Sequence, residues 1–486
     1  MKLNELLDGI YAGEIEERFT QTKILSVSCD SRKAMMGGIF VVFKGYSCDG
    51  SDFIEAAVKK GVFAVATSDD IEHLQKKYEN VCFIKVDDPQ EFLQGVVLKL
   101  FGNPSEDVKT IGVTGTNGKT TVAYLVEAII NEAEKECGVI GTINYRLSNN
   151  VIPARQTTPG FIDNQHFLTG LAWQDVPYCV IEVSSHALTQ GRVHGIAFKA
   201  AIFTNLTSDH LDYHQTMENY FEAKARLFTG LTPDATAVIN TDDPYGRQLL
   251  AMTKAKIVTY GIEQQADVMA KDIQLDMLGS RFTLTCADGD IEIQSNLIGM
   301  YNIYNILAAV SACIAEKLDL DTIKRGVASL GFIPGRMERV DYGQDFSVFI
   351  DYAHTQDALE NVLKAIRQIS QTRIILVFGC GGDRDRSKRP LMGKVAGQLA
   401  DLSIVTSDNP RNEDPQSIID EIVPGFDQDN YKVIINREEA IGEAIKEAKT
   451  GDTVLIAGKG HETYQVLADG KVDFNEREII KKFLKC

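Results

Sequence analysis

The sequence predicts an α/β protein of three domains, with a phosphate-loop domain in the centre and a Rossmann-like domain at the end. Short β-type runs alternate with helical stretches along the whole chain, which is typical of parallel sheets. A glycine-rich loop lies between a strand pattern and a helix pattern at Thr114–Thr121. Breaker residues at Asn103–Ser105 and Gly331–Gly335 divide the chain. The predicted domains are 1–103, 104–331 and 332–486.

Size and composition fit this division. The chain has 486 residues, of which 44% are apolar and 24% charged, so it is folded and too long for one core. No apolar run approaches the roughly 18 residues of a membrane helix. The acidic, amphipathic start Met1–Asp8 is not a secretory signal. We therefore expect no stable membrane insertion and a cytoplasmic location.

Cysteine usage and charge exclude two further classes. The nine cysteines are scattered without a Cys-x-x-Cys pair, which argues against a zinc site and a disulfide framework and favours reduced thiols. A net charge of −18 argues against nucleic acid as a partner. It leaves an anionic small substrate open, because local lysines and arginines decide a pocket.

The first domain is predicted from alternating β-type and helical runs. Its strands are Ile39–Phe43, Val62–Ala66 and Val81–Val86, and Phe53–Lys60 is helical. These elements form a small α/β domain.

The central domain begins with the glycine loop. A strand at Thr110–Val113 leads into it, and a helix at Val122–Ile130 follows. In this arrangement backbone N–H groups surround phosphate oxygens at a helix N-terminus. Lys119 would neutralise the β- and γ-phosphates, and Thr120 would place a hydroxyl on Mg²⁺. The sequence therefore predicts a nucleoside triphosphate site.

The loop departs from the strict Walker pattern. That pattern needs glycine five residues before Gly118, where this chain has Val113. A shorter variant, Gly115-x-x-Gly-Lys-Thr120, remains. The alternative is an ordinary strand-to-helix turn, which the flanking strand and helix argue against.

Polar residues follow two later strands of the central domain. Strand Tyr178–Glu182 ends in a carboxylate that could hold Mg²⁺ directly or through water, and Ser184–His186 come next. Strand Ala200–Thr204 is followed by Asn205–His214, which carries two aspartates and two histidines. Helix caps and turn residues are the alternative interpretation. Lys224, by pattern alone, is an exposed helix lysine.

The third domain is predicted as a mostly parallel sheet. Its strands are Val348–Ile350, Ile374–Phe378, Ser403–Thr406, Lys432–Ile435 and Val454–Ile456. Polar clusters follow four of them, at Asp351–Thr355, Gly379–Asp385, Ser407–Arg411 and Gly458–Glu462. Ligands of such sheets bind beyond the carboxyl ends of the strands. Arg384 and Arg411 offer the two-pronged geometry that suits carboxylates, so a zwitterion such as an amino acid would fit; surface loops with incidental charge are the alternative.

These motifs, in this order, resemble those of the Mur ligases, the ATP-dependent amide-forming enzymes of bacterial peptidoglycan synthesis. The resemblance runs along the whole chain and is carried by Asp30–Arg32, Thr114–Thr121, Glu182–His186, Asp351–His354, Asp408–Arg411 and Gly458–Glu462.

The resemblance implies an activity. A monomer would add meso-2,6-diaminopimelate to the D-Glu carboxylate of UDP-MurNAc-L-Ala-D-Glu through an acyl phosphate, with ATP and Mg²⁺, releasing ADP and phosphate. The Asp408–Arg411 motif favours diaminopimelate over lysine or another diamine, because the extra carboxylate needs an arginine. A folylpolyglutamate synthetase would lack the first domain. A regulatory protein that binds ATP without catalysis would not need the paired charges of the third.

The resemblance also implies site residues. For ATP these are Gly115, Thr116, Asn117, Gly118, Lys119, Thr120, Thr121, Asn302, Asn305, Arg336 and Asp351. For the uridine substrate they are Ser31, Arg32, Thr157, Thr158, Ser184 and Arg192. For the amino acid they are Arg384, Asp408, Asn409, Arg411, Gly458 and Glu462. Lys119, Glu182, His210 and Lys224 would be catalytic; Thr120, Glu182, His210 and a CO₂-derived carbamate on Lys224 would ligate metal.

Overall fold

The computed structural model describes residues 1–44, 49–148, 150–370 and 372–484. The chain forms two compact units. The first comprises Met1–Thr110, Thr158–Cys179 and His186–Phe198. The second comprises Ile111–Thr157, Val180–Ser185 and the chain from Lys199 onward. The three domains that the sequence suggests, with their two boundaries, stay a prediction.

The N-terminal stretch forms a four-stranded parallel sheet in the order β1-β2-β3-β4. Its elements are α1 (Leu3–Leu7), α2 (Glu17–Thr20), β1 (Ser26–Ser28), β2 (Gly38–Val41), α3 (Ile54–Lys59), β3 (Ala64–Thr67), α4 (Glu72–Lys77), β4 (Cys82–Lys85) and α5 (Pro89–Phe101). Successive side chains of a strand point to opposite faces, so Ile39 and Val41 enter one core and Phe40 the other. The three strands predicted here are confirmed.

The middle of the chain supplies an eleven-stranded sheet. Its strands are β5 (Lys109–Thr114), β6 (Cys137–Ile140), β7 (Asn144–Leu147), β8 (Asn150–Pro153), β9 (Tyr178–Glu182), β10 (Phe198–Phe203), β11 (Thr236–Asn240), β12 (Lys256–Gly261), β13 (Val268–Asp276), β14 (Gly279–Cys286) and β15 (Gly289–Ser295). Its helices are α6 (Lys119–Glu132), α7 (Phe161–Ala172), α8 (Ser185–Thr189), α9 (Leu211–His214), α10 (Met217–Thr229), α11 (Pro244–Leu249), α12 (Met300–Ala315) and α13 (Leu320–Ser329).

The strand order is β15-β14-β13-β12-β11-β10-β5-β9-β6-β7-β8. Strands β10 to β13 pair in parallel, whereas antiparallel pairs lie at both edges. The N–H of Val183 donates to Val113 O at 2.8 Å, and the N–H of Thr204 donates to Thr114 O at 3.0 Å. The chain segments that leave β5, β9 and β10 therefore meet at one edge of the sheet.

The C-terminal stretch forms a six-stranded sheet in the order β16-β17-β21-β18-β19-β20. Its strands, with a separate hairpin β22–β23, are β16 (Glu338–Val340), β17 (Ser347–Asp351), β18 (Ile374–Phe378), β19 (Leu402–Val405), β20 (Tyr431–Val433), β21 (Thr453–Ala457), β22 (Tyr464–Leu467) and β23 (Gly470–Asp473). Its helices are α14 (Gln356–Ile369), α15 (Lys388–Leu399), α16 (Pro415–Ile422), α17 (Arg437–Glu447) and α18 (Glu476–Leu484). All pairs are parallel except β16–β17, which confirms the predicted mostly parallel sheet.

Two further observations concern the chain as a whole. Within the described ranges, none of the helices combines the length and apolar character needed to cross a bilayer. Cys29, Cys82, Cys286, Cys313 and Cys380 are free thiols.

Candidate functional site

The phosphate loop depends on two glycines that no other residue could replace without strain. Gly115 has φ +152°, and a Cβ there would lie 1.8 Å from Thr204 Oγ1. Gly118 has φ +88°, and its Cβ would lie 2.2 Å from Asn305 Oδ1. A side chain would have to adopt an unfavourable backbone conformation and displace a neighbour at both positions. The loop therefore packs its backbone directly against its surroundings.

Residues after β10 hold the loop in place. Asn205 accepts from the Thr116 N–H through its backbone oxygen and from the Asn117 N–H through Oδ1, both at 2.9 Å. Thr204 Oγ1 donates to Asn117 O at 2.6 Å. Thr207 N–H donates to Thr116 Oγ1 at 3.0 Å. The segment that follows β10 and the phosphate loop are thus neighbours in the fold.

Two lysines converge on this loop. Lys119 Nζ donates to Gly115 O and Thr116 O, both at 2.9 Å, and Lys224 Nζ donates to the same Gly115 O at 2.8 Å. Lys224 is 1% exposed and its Nζ lies 4.6 Å from the centre of the Tyr220 ring. The helix pattern alone placed Lys224 at the surface, and that expectation is wrong: α10 presents it to the loop.

Burial changes the acidity of both lysines. Desolvation lowers the pKa of Lys224 well below its ordinary value, and the charge of Lys119 lowers it further. Desolvation also lowers the pKa of Lys119, opposed by Glu182 and Asp209. A buried lysine with a lowered pKa is the kind that acts as a nucleophilic amine.

Glu182 lies beside the start of α6. Its Oε2 accepts from Thr120 Oγ1 at 2.9 Å and from Thr142 Oγ1 at 2.8 Å, and its Oε1 accepts from Thr142 N–H at 2.9 Å. It is 1% exposed, and a Cβ on Gly141 would lie 2.2 Å from its Oε1. A carboxylate and a threonine hydroxyl at the phosphate loop are the oxygen ligands that Mg²⁺ prefers.

The histidines of this edge lie near Tyr220, whose ring also contacts Lys224. His210 is exposed, has φ +55°, and its Nε2 lies 3.5 Å from Asp209 Oδ2. Burial works to raise the pKa of Asp209, but His210 and other nearby cations hold it below its ordinary value. His214 is buried, and its Nε2 lies 2.9 Å from Ser185 Oγ. In the described part of the chain, no three acidic, histidine or cysteine side chains gather as a ready-made metal cluster.

A cavity of about 400 Å³ adjoins the phosphate loop. Eight of the predicted ATP residues line it: Asn117, Gly118, Thr120, Thr121, Asn302, Asn305, Arg336 and Asp351. The two asparagines of α12 are hydrogen-bonded to each other, Asn305 Nδ2 to Asn302 Oδ1 at 2.9 Å. The fold therefore brings these eight residues together, although the first and the last of them are more than 230 residues apart in the chain.

Arg336 and Asp351 approach this cavity from the C-terminal stretch. Arg336 Nη2 lies 3.4 Å from Thr120 Oγ1, and its guanidinium lies 4.9 Å from the centre of the Tyr352 ring. The buried Nε of Arg336 has no hydrogen-bond partner among the described residues. Asp351 accepts from the Met337 and Ala353 N–H groups at 2.7 and 2.8 Å, and burial raises its pKa. An unpartnered guanidinium N–H at the side of the cavity that adjoins the phosphate loop suits an anionic ligand.

Sequence reasoning missed several cavity residues. Asp242 accepts from Tyr304 Oη at 2.9 Å and from the Ile262 N–H at 2.7 Å, and these contacts help hold its pKa below the ordinary value against the effect of burial. Asp357, in the first turn of α14, accepts from Asn117 Nδ2 at 2.7 Å. The sequence gives them no glycine motif and no charge cluster, so only the fold identifies them.

The predicted amino-acid residues form a second cluster, at the ends of β19 and β21. Asn409 Nδ2 donates to Glu462 Oε2 at 2.8 Å, and the fully buried Lys459 donates to Asn409 Oδ1 and Glu462 Oε2, both at 3.0 Å. Asp408 Oδ2 is buried and has no hydrogen-bond partner within the described ranges, and a Cβ on Gly458 would lie 2.5 Å from it. A buried carboxylate oxygen with no donor suits a ligand ammonium.

Arg411 completes this cluster on the side of the loop after β18. It has φ +53°, and its Nη1 donates to Gly382 O at 2.7 Å. Desolvation lowers the pKa of Arg411, and the nearby charge of Arg384 adds to this effect. Arg384 is exposed, with Nη1 donating to Asp383 O at 3.1 Å. A guanidinium whose pKa is lowered by a second guanidinium nearby gains from an added carboxylate.

A buried arginine fixes the loops that carry these guanidiniums. Arg389, 1% exposed, donates from Nη1 and Nη2 to Glu413 and from Nη2 to Gly381 O. The bond from Arg389 lowers the pKa of Glu413 to about 2. Glu413 also accepts from the Asp383 N–H at 2.6 Å. One ion pair thus joins the loop after β18 to the loop after β19.

A second buried pair lies beneath the cluster. Arg437 Nε donates to Glu476 Oε1 at 2.7 Å, and both side chains are almost fully buried. Arg437 Nη2 also donates to Ala457 O at 2.8 Å, directly before Gly458. The last helix, α18, therefore contacts the base of the amino-acid cluster through Arg437.

The predicted uridine residues fall in both compact units. In the first, Asp30 accepts a two-pronged contact from Arg32, which is exposed, and Ser31 between them is half-buried. Also in the first, Arg192 Nη1 donates to Thr158 O at 3.0 Å.

The other two uridine residues belong to the second unit. Thr157 Oγ1 lies 3.1 Å from Thr142 Oγ1, which itself contacts Glu182. Ser184 is half-buried directly after β9. Thr157 is thus linked through Thr142, by two hydrogen bonds, to the carboxylate predicted to ligate metal.

Comparisons with known proteins agree with this fold. Three sequence models match the chain: "Mur ligase family, catalytic domain" over residues 23–99, "Mur ligase middle domain" over 113–313, and "Mur ligase, glutamate ligase domain" over 335–460. The UDP-N-acetylmuramoyl-L-alanyl-D-glutamate–2,6-diaminopimelate ligase of Clostridium botulinum is 42% identical, with all of both chains covered. Fold and site define an ATP-dependent amide ligase. The chain belongs to the Mur ligase family.

Solved structures show the same architecture. A UDP-N-acetylmuramoyl-L-alanyl-D-glutamate–2,6-diaminopimelate ligase matches with a TM-score of 0.70 and 33% identity, covering 100% of this chain and 99% of that one. The folylpolyglutamate synthase of Mycobacterium tuberculosis matches with a TM-score of 0.64 and 21% identity, covering 74% of this chain and 91% of its own. The second likeness concerns the fold alone.

Proposed function

We propose that this ligase joins meso-2,6-diaminopimelate to the D-Glu carboxylate of UDP-MurNAc-L-Ala-D-Glu, with cleavage of ATP to ADP and phosphate. The observation that carries the proposal is the cluster after β18, β19 and β21. It combines the unpartnered Asp408 oxygen with the guanidiniums of Arg384 and Arg411. The relatives named above, which are ligases of 2,6-diaminopimelate, support the same substrate.

ATP would bind in the cavity next to the phosphate loop. Backbone N–H groups of the loop and Lys119 would contact its phosphates, and Arg336 would reach them from the C-terminal stretch. Asn302 and Asn305 would line the adenine side. The glycine contacts and the unpartnered Arg336 Nε support this placement.

Mg²⁺ would be held by Thr120 and Glu182, with His210 close to the same edge. The adjoining hydroxyl and carboxylate oxygens fit the ion, 2.9 Å apart. When bound, the ion would neutralise negative charge on the phosphates, which is the main requirement of phosphoryl transfer.

Lys224 would carry a carbamate. Its neutral amine would add to the carbon of CO₂, forming an N–C bond and releasing one proton, and would so replace a cation by an anion. The fit is chemical: burial and Lys119 both lower the pKa of Lys224, which favours the neutral amine that this addition needs. A carbamate there would face Lys119 across the Gly115 carbonyl, which turns repulsion into attraction.

The reaction would proceed in two steps. The D-Glu carboxylate attacks the γ-phosphorus, the bond to the ADP oxygen breaks, and an acyl phosphate forms. The neutral amine of diaminopimelate then attacks the acyl carbon, phosphate leaves, and the nitrogen loses a proton to complete the amide. Lys119 would stabilise the charge of the first step. Exclusion of water between the steps protects the acyl phosphate from hydrolysis.

The uridine substrate would be recognised by Ser31, Arg32, Thr158 and Arg192 of the first unit and by Thr157 and Ser184 of the second. We propose that the enzyme acts in the cytoplasm, where ATP is available, and as a monomer.

Amino-acid choice would depend on the added carboxylate. Arg384 and Arg411 would bind the distal carboxylate of diaminopimelate, which lysine lacks. Asp408, Asn409, Gly458 and Glu462 would bind the ammonium and the remaining polar atoms.

The test measures phosphate release from ATP and Mg²⁺ with UDP-MurNAc-L-Ala-D-Glu and either meso-diaminopimelate, L-lysine or no amino acid. Release that requires diaminopimelate is expected. Release with lysine at equal efficiency would keep the ligase and reject the Arg384–Arg411 specificity. Phosphate release that no amino acid stimulates would favour the regulatory alternative.

A further inference from the structure

Asp357 makes contacts that its position in a helix does not require. It lies two residues after Thr355, whose hydroxyl accepts from the Ala358 N–H at 3.3 Å and caps α14. An acidic residue in a first helical turn is ordinary, because it suits the helix dipole. Yet its Oδ2 accepts from Asn117 Nδ2 at 2.7 Å and from Thr207 Oγ1 at 3.0 Å, 240 and 150 residues earlier in the chain.

Both partners belong to the segments that form the phosphate site. The backbone of Asn117 is already fixed on two sides, since its N–H donates to Asn205 Oδ1 and its carbonyl accepts from Thr204 Oγ1. Thr207 is in turn bonded to the phosphate loop through Thr116. One carboxylate oxygen of α14 therefore holds two mutually bonded segments of the central sheet.

The location of this oxygen relates it to nucleotide binding. Asp357 and Asn117 both line the 400 Å³ cavity. Hydrogen bonds to an ionised acceptor are about twice as strong as neutral ones, so these contacts hold α14 firmly. Arg336, which precedes α14 in the same stretch, lies 3.4 Å from Thr120. The distance between α14 and the phosphate loop thus also sets how closely Arg336 approaches Thr120.

We propose that Asp357 is a positioning residue that latches α14 to the phosphate loop through Asn117 and Thr207, and so couples ATP binding to the approach of the C-terminal sheet. Its role in amide formation rests on the proposed function; its role in nucleotide binding does not. The latch keeps Arg336 at the phosphate end and keeps water away from the acyl phosphate.

Three variants separate hydrogen bonding from charge. Asp357→Ala removes both contacts, whereas Asp357→Asn keeps one oxygen that can accept from both donors and removes the charge. Glu360→Gln is the matched control. This carboxylate lies on the same helix, and among the described residues its side chain pairs with Lys364, one turn further along the helix. Thermal unfolding of each variant shows that it is folded.

The first readout is affinity for a non-hydrolysable ATP analogue with Mg²⁺, measured by calorimetry. We expect Asp357→Ala to weaken binding about tenfold, the effect of one hydrogen bond to a charged acceptor. Asp357→Asn should lose clearly less, because it keeps both hydrogen bonds as neutral ones, and the control should stay near wild type. Unchanged binding in the alanine variant would overturn the latch. Equal losses in alanine and asparagine variants would also overturn it, because charge and not hydrogen bonding would then be responsible.

The second readout is a double-mutant cycle on the same binding assay. Asn117→Ala and Asp357→Ala together should cost less than the sum of the two single losses, because both variants remove the hydrogen bond between these residues. Fully additive losses would contradict the latch. Should Asp357→Ala fail to fold, Asn117→Ala and Thr207→Val each remove one donor to Asp357, and unchanged binding in both would overturn the latch.

The third readout is the amount of phosphate released per amide formed. It should rise in Asp357→Ala, because a loosened C-terminal sheet admits water to the acyl phosphate, and an unchanged ratio would reject that part of the proposal. If the wild type shows no phosphate release that depends on an amino acid, the proposed function fails. The binding cycle would still decide the latch.

Discussion

The side-chain nitrogens of Lys119 and Lys224 donate to one and the same carbonyl oxygen, that of Gly115, at 2.9 and 2.8 Å. Desolvation by burial lowers the pKa of both lysines, and the charge of Lys119 lowers the pKa of Lys224 further. The loop therefore contacts one lysine that we propose for the nucleotide phosphates and a second whose pKa is lowered well below its ordinary value. The two side chains have different chemistry because their environments differ.

Replacing Lys224 tests this difference. Lys224→Ala should lower amide formation about 10²-fold or more, comparable with removal of one electrostatic group from an active site. Wild-type activity should fall in CO₂-depleted buffer and return with bicarbonate, and intact mass should show one added CO₂ that acid removes. Lys199→Ala, an exposed lysine of β10, is the control. Full activity of Lys224→Ala, or no response to bicarbonate, would reject the carbamate.

Replacing Arg411 tests amino-acid choice. Arg411→Ala should raise the Michaelis constant for diaminopimelate, with a cost on the order of 2–5 kcal/mol for truncating one member of a buried charge pair. Arg411→Lys should recover only part, because an ammonium lacks the two-pronged geometry. The Michaelis constant for ATP should stay constant. An unchanged constant for diaminopimelate would show that Arg411 does not bind its carboxylate.

The phosphate loop gives a third prediction. Gly118→Ala should weaken ATP binding, because alanine at φ +88° is strained by about 1–3 kcal/mol and its Cβ would displace the Asn305 side chain. Gly170→Ala, on α7, is the control, since an added Cβ there meets nothing within 4 Å. Binding of an ATP analogue measured by calorimetry decides between them. Equal affinities in the two variants would argue against the loop geometry described above.

The Arg389–Glu413 pair predicts a pH dependence of stability. The folded-state pKa of Glu413, about 2, lies below the ordinary 4.5. The stabilisation by this pair is therefore complete above pH 4.5 and is lost as the pH falls toward 2. Glu413→Gln should therefore lower the free energy of unfolding at pH 7, and its difference from wild type should shrink between pH 4.5 and 2. Denaturant unfolding across this range measures it. Asp427→Asn, an exposed carboxylate, should leave the curve's shape unchanged.

The sequence predicted the strands that carry the site well. Tyr178–Glu182 and Ile374–Phe378 coincide with β9 and β18, because continuous apolar runs bounded by polar residues are typical of strands buried on both faces. The edge strands β13 to β15 were not predicted. They alternate buried and exposed residues and include charged ones, so their pattern is weak without the neighbouring strand.

The site residues also divide into those that the sequence predicted and those that it did not. The phosphate loop has a spacing that follows from its chemistry, and the structure places Gly118, Thr120 and Arg336 around one cavity. Asp357 could not be found, because its partners are distant in sequence and an acid at a helix start is common. Lys224 looked exposed for a similar reason: helical periodicity shows which face is polar, but not that a loop covers that face.

The pair Arg437–Glu476 gives the last helix an unexpected importance. Glu476 begins α18, a helix of nine residues at the end of the described chain, yet its partner supports the carbonyl before Gly458. A nonsense mutation that removed this helix would leave Arg437 as an uncompensated charge beneath the amino-acid cluster, which is costly in a buried setting. Loss of α18 would then disturb the amino-acid cluster first, while the phosphate loop kept its shape.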